Sequence, residues 1–170
     1  LVAFNNAGLK GTVKNTTIGA NNGNGVKINS VDNTDGLTFE KCTITGAGDG
    51  RTAFTVAGGY VRLIGGTFGN NSASNNTTIS GGKAYISGTK FNGAKSASAL
   101  SIAAAADVTI ESASFVKSPK TLNDQTIFLN SLMEGRAVYS SATPSADTIL
   151  SRTASYNTLD AFYVLPCEHY

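Results

Sequence analysis

The sequence predicts an all-β fold: a right-handed single-stranded parallel β-helix of about five coils of roughly 24 residues, followed by a non-repetitive β-rich C-terminal segment. Three observations carry this expectation. An apolar residue, four others and a second apolar residue recur as Val13/Ile18, Phe39/Ile44, Leu63/Phe68, Ile86/Phe91 and Ile110/Phe115, with starts stepping by 26, 24, 23 and 24. A second track, Val26/Ile28, Phe54/Val56, Thr77/Ile79, Leu100/Ile102 and Ile127/Leu129, keeps the same beat. Between the tracks stand Gly, Asn, Ser and Asp, which make turns and offer no stripe of helical period.

The elements follow in chain order. Val2 and Phe4 precede Val26 and Ile28 by 24 residues, so the chain starts in mid-coil on the second track, as a fragment whose upstream part continues the solenoid. Each first-track anchor opens a strand in which alternate residues face inward. Three residues later comes a corner position that should be small, and Thr16, Cys42, Gly66, Thr89 and Ala113 are small. Strands at the same place in successive coils then pair edge to edge about 4.8 Å apart and stack like residues on like. The repeat runs over 1–130, and 131–170 reads differently, with Tyr139, Tyr156, Tyr163 and Tyr170 and with strand-like stretches at Arg136 to Ser140, Thr148 to Arg152 and Ala161 to Leu165. A solenoid needs a terminal cap, so 131–170 is either a lid on the last coil or an oligomerisation element that three chains wrap together. Under the second reading Tyr139, Phe162, Tyr163 and Leu165 supply the shared core. Ile64, at an outward position, is either tolerated alone or packed against a neighbouring subunit.

Composition excludes several classes. Only 14% of residues are charged, net charge is +2, and Lys and Arg are dispersed, which is no nucleic-acid footprint. No apolar run approaches the roughly 18 residues of a membrane span, so membrane insertion is not expected. Cys42 sits at an inward corner and Cys167 at the far end, so the two should not bridge, and separated thiols suit assembly in a reducing cytoplasm. Cys167, Glu168 and His169 are consecutive and cannot close around one ion, and neither a metal nor a cofactor is expected.

The repeated anchors Val13, Phe39, Leu63, Ile86 and Ile110, with the tyrosine-bearing tail, make the chain resemble the bacteriophage tailspikes and β-helical tail fibres of the pectin-lyase-like parallel β-helix class. Secreted polysaccharide lyases, polygalacturonases and autotransporter adhesins share the solenoid. The resemblance implies a homotrimer that recognises host cell-surface polysaccharide, is joined to the rest of the phage tail through a missing N-terminal part, and resides in the virion tail. It equally admits a glycan-depolymerising tailspike, a glycosidase or lyase with its acids between subunits, or a structural or adhesin solenoid.

For catalysis, Asn33-Thr34-Asp35-Gly36 looks like the Asn-Thr-Asp element of polygalacturonases, but its sequel is Gly48-Asp49-Gly50 and the only histidine is His169. Asp35 and Asp49 bracket a strand-corner-strand unit and stand on the order of 15 Å apart, beyond the reach of a glycosidase pair. Glu40 and Glu111 share an outward position three coils apart, about 14 Å. Acid catalysis at a subunit interface would fall to Asp107, Glu111 and Asp124. A binding surface is easier to build, since Thr12, Thr38, Arg62, Tyr85 and Thr109 face outward on adjacent rungs. An aromatic face beside a guanidinium can stack on a saccharide ring and hydrogen-bond its hydroxyls. Tyr60 extends the patch from two residues before Arg62, and Asn70 and Asn71, in the polar turn after Phe68, complete the expected glycan contacts.

Overall fold

The computed structural model describes residues 1–19, 23–45, 51–70, 75–93, 98–116 and 120–167, and over these the chain is a parallel β-solenoid. The first coil gives β1 (Val2–Asn5), β2 (Gly11–Lys14) and β3 (Thr17–Ile18). The second gives β4 (Val26–Ser30), β5 (Leu37–Glu40) and β6 (Thr43–Ile44), and the third β7 (Thr52–Val56), β8 (Tyr60–Ile64) and β9 (Thr67–Phe68). The fourth gives β10 (Asn75–Ile79), β11 (Lys83–Ser87) and β12 (Thr89–Phe91), and the fifth β13 (Ser98–Ile102), β14 (Asp107–Ile110) and β15 (Ala113–Val116). Then follow β16 (Lys120–Leu122), a helix α1 (Gln125–Asn130), β17 (Arg136–Tyr139) and β18 (Ala161–Pro166).

These strands form three sheets, one strand per coil in each. The first sheet runs β1-β4-β7-β10-β13-β16, the second β2-β5-β8-β11-β14, and the third begins β3-β6-β9-β12-β15. Every pair within the coils is parallel. The register joins the anchors as their spacing predicts: Val13 to Phe39 to Leu63 to Ile86 to Ile110 in the second sheet, and Val26 to Phe54 to Thr77 to Leu100 in the first. Variation in coil length is taken up in the turns, so each stack stays in register.

The interior follows from alternation. Phe39, Leu63, Ile86 and Ile110 are fully buried, as are Phe54, Val56, Ile79 and Leu100. Each such side chain contributes about 1.5–3 kcal/mol by leaving water. Of the expected small corners, Cys42, Thr89 and Ala113 are buried, while Thr16 is half-buried. Gly66 adopts φ 80°, and a Cβ there would stand 2.3 Å from the carbonyl oxygen of Cys42, so close stacking of successive corners requires a glycine. Two inward hydroxyls, on Thr77 and Thr121, have no hydrogen-bond partner, a cost carried by the first sheet.

A row of aromatic rings runs along the solenoid axis. Phe4 meets Phe39 edge-on at 6.1 Å, Phe39 meets Phe54 at 5.2 Å, Phe54 meets Phe68 at 5.1 Å, and Phe68 passes contact to Phe91 at 6.1 Å. Phe91 and Phe115 stack at 5.3 Å, and Phe115 stacks on Phe162 at 4.7 Å. The row thus crosses from the repeats into the C-terminal segment.

That segment differs from expectation in two places. Ile127 and Leu129 are not a strand pair but lie in α1, because the Asp124 carboxylate accepts the amides of Thr126 (3.0 Å) and Ile127 (3.1 Å) and so starts a helix. The strand that continues the first sheet is β16, where Leu122 pairs with Leu100. Thr148 to Arg152 forms no strand and contributes only one isolated bridge, Ile149 to Tyr139. β17 and β18 do form near the expected stretches. They extend the third sheet in the order β15-β18-β17, and both new pairings are antiparallel. Phe162 and Val164 turn inward over the last coil, both fully buried. Tyr170, Glu168 and His169 lie outside the described residues.

Candidate functional site

The outer face of the second sheet carries a group of polar and aromatic side chains that the repeat aligns. Because inward and outward residues alternate, the register creates three outward rows. One row is Tyr60, Lys83 and Asp107. The next is Thr12, Thr38, Arg62, Tyr85 and Thr109, the stripe anticipated from the anchors. The third is Lys14, Glu40, Ile64 and Ser87, with Ile64 half-buried between Glu40 and Ser87.

Arg62 is the organising group. Its Nε donates to Thr38 Oγ1 at 2.9 Å, one Nη donates to the carbonyl oxygen of Asp35, and its guanidinium carbon stands 4.7 Å from the centre of the Tyr60 ring. Lys83 Nζ stands 4.8 Å from the same centre. Two cations therefore share one ring, and Tyr60 holds them in place more than it offers a free face. Tyr85, half-buried on the adjacent strand beside Arg62, makes no ring or cation contact among the described residues. It is the open aromatic of the group.

The Asn33-Thr34-Asp35-Gly36 tetrad borders this face as a turn. Asp32 Oδ1 accepts the amides of Thr34 (2.9 Å) and Asp35 (2.6 Å), which holds the Asp32 carboxyl below the ordinary range. Asp35 Oδ2 pairs with Lys10 Nζ at 3.1 Å, in the open. Gly36, at φ 54°, lies so close to the Tyr60 carbonyl oxygen that a Cβ would fall 1.8 Å from it. The tetrad thus fixes the wall against which Arg62 docks. Asp49 lies outside the described residues.

The other expected groups are dispersed. Asn70 follows β9 at a corner of the third sheet, where its side-chain amide donates to the carbonyl of Thr45 in the preceding coil. It is not brought to the Arg62 face, and Asn71 lies outside the described residues. Asp107 is exposed at the end of the Tyr60–Lys83 row. Asp124 is occupied as the cap of α1. Tyr139 and Phe162 are fully buried within the single chain, whereas Tyr163 and Leu165 keep partial outward surface. Cys42 is buried and Cys167 exposed, and the two are not bridged to each other.

Glu111 has a structural occupation. Its Oε2 accepts from Ser87 Oγ and Ser112 Oγ, both at 2.7 Å, and its Oε1 accepts from Arg136 Nη2 at 3.2 Å. Arg136 Nε also donates to the Glu111 carbonyl oxygen at 2.7 Å, so β17 is tied to the fifth coil. The two serine hydroxyls, then Arg136, hold the Glu111 carboxyl below its ordinary value of 4.5 against the opposing effect of burial. With the folded value depressed, the stabilisation is present in full above pH 4.5 and is lost as pH falls through the lowered value. Glu111→Gln should cost about 1–2 kcal/mol near neutral pH and nothing in strong acid, where both forms are uncharged. Thermal melts across that range check it, and a gap that survives in acid would remove Glu111 from this role. Asp107 and Glu111, four positions apart, have Cα atoms about 13 Å from each other by strand rise, which is not the arrangement of a glycosidase pair.

Lys83 was not read from the sequence as part of this face. The signal was there, since Lys83 lies 23 residues after Tyr60, one repeat along the outward row. The role of Asp35 as a carbonyl acceptor depends on turn geometry and left no such mark.

No family model, no curated protein and no solved structure matches the chain. The fold is shown by its own strand pairing.

Proposed function

We propose that this chain is a glycan-binding β-solenoid, a receptor-binding segment of a phage tailspike or tail fibre that engages host surface polysaccharide as a homotrimer on the virion tail. The observation that carries the reading is the Tyr60–Arg62–Lys83–Tyr85 group, aligned by the repeat on one outward face. Arg62 is pre-positioned by Thr38, Asp35 and Tyr60, so little side-chain entropy is lost when it donates to a ligand. Tyr85 offers an aromatic surface next to it, and Thr38 and Thr109 flank the pair with hydroxyls. Hydrogen-bond donors beside an aromatic ring suit a saccharide, which has apolar C–H faces and a polar rim. The trimer and the virion location rest on the resemblance of the repeated anchors and tail to tailspikes, with Tyr163 and Leu165 as the partly outward residues of the tail.

The test is binding of purified capsular and O-antigen polysaccharides to the chain and to Arg62→Ala and Tyr85→Ala variants. Each substitution should weaken binding by at least about tenfold, with melting temperature little changed because both side chains lie on the outer face. Absence of binding across the panel would favour a purely structural solenoid. Release of new reducing or unsaturated ends would instead favour a depolymerase. Light scattering checks the assembly, since a trimer has three times the 17.4 kDa mass of the chain.

A further inference from the structure

A second concavity lies away from the Arg62 face, where α1 and the C-terminal strands close over the last coil. It has a volume of about 180 Å³. Leu129, Leu132 and Val138 line it, and Leu150 and Ile149 reach it from the stretch that returns past β17. The walls are therefore mostly aliphatic, completed by Tyr156 and two arginines. At about 180 Å³ it has room for a single ring and a small substituent, a benzene-sized molecule needing about 150 Å³.

Its polar features are two arginines, Arg136 and Arg152. They differ in what already neutralises them. Arg136 is bound by Glu111, as described above. Arg152 has no carboxylate partner among the described residues. It lies near enough to the buried Tyr156, another wall residue, that its charge opposes the upward push of burial on that phenol. Ile149 is 41% exposed, an apolar surface that a seated ligand would cover.

We propose that this pocket binds a small apolar carboxylate, one ring or a short branched chain, with the apolar body among Leu132, Val138 and Leu150 and the carboxylate on Arg152. An aliphatic cavity rewards burial of the body. An unpaired guanidinium at its mouth supplies a bidentate, charge-assisted partner for the anion. A cation in the ligand would meet two arginines, and a neutral ring would leave Arg152 unused. The site shares no residue with the proposed glycan face and stands or falls separately from it.

The experiment is a methyl-resolved NMR titration of the full chain with benzoate as probe and benzamide as its neutral isostere. Benzoate should shift the methyl resonances of Leu132, Val138, Ile149 and Leu150 and bind about tenfold more tightly than benzamide. Arg152→Gln, an exposed position that should not disturb folding, should reduce benzoate to the level of benzamide and leave benzamide unaffected. The proposal is overturned if neither compound shifts these methyls at about 10 mM, or if benzoate and benzamide bind alike. It is equally overturned if the benzoate shifts persist unaltered in Arg152→Gln.

Discussion

Leu63→Asp is expected to leave the chain without a folded state. Leu63 is fully buried at the third of five stacked anchors, between Phe39 and Ile86 on the neighbouring strands. An aspartate there has no cation within the interior, and its neutralisation or burial costs several kcal/mol on top of the lost apolar contact. Total stability of a domain is about 5–15 kcal/mol, so one such change is comparable to the whole. A central coil cannot be bypassed either, because each coil pairs only with its neighbours and a defect in the middle separates the two halves. Thr38→Ser is the control. It retains the hydroxyl that accepts Arg62 Nε on the outer face, and should melt within about 0.5 kcal/mol of the parent. Circular dichroism and soluble yield distinguish the two. If both variants folded equally well, the inward and outward assignments of the second sheet would have to be exchanged.

Phe115→Ala should cost about 3–5 kcal/mol, the range for emptying a buried phenylalanine site. The upper end is expected because Phe115 touches three other rings: Phe91 of the preceding coil, Phe128 of α1 and Phe162 of β18. It is the residue through which the repeats and the C-terminal segment share one core. Removing it should loosen the segment first, so amide exchange in β17 and β18 should accelerate more than in β5 or β8. Denaturant unfolding with exchange measured strand by strand checks this. Uniform acceleration across all strands would mean that the segment and the coils unfold as a single unit.

How much was readable beforehand follows from the physics of each part. The coil register was legible because stacking forces each inward position to repeat once per coil, leaving a pattern at Phe39, Leu63, Ile86 and Ile110 that needs no knowledge of turns. The aromatic row was not, since it passes between sheets, from Phe39 to Phe54 to Phe68, and no single periodicity contains it. Ile127 and Leu129 show the limit of spacing as evidence. Their two-residue interval suits a strand, but Asp124 two residues before Thr126 decides for a helix, and an N-cap is a weaker mark than a beat already running for five coils. On the outer face the sequence located Arg62 and Tyr85 on neighbouring rungs. It missed that Tyr60 is engaged by Arg62 and Lys83 together, because side-chain direction on a solvent face is set by local electrostatics and leaves no periodic trace.

The reversal of strand direction at β18 has a consequence for assembly. In a parallel stack every coil presents its successor with the same edge that it received, so the pattern contains no instruction to stop and length is limited only by the supply of repeats. β18 runs against β15, and β17 against β18. The two reversals return β17 to the direction of β15, so the outer strand of the third sheet again runs with the coils but is reached through two antiparallel pairings rather than through another turn of the solenoid. The solenoid thus ends on chain that doubles back on itself: Phe162 and Val164 of β18 occupy the inward face that a parallel stack would leave for its next coil.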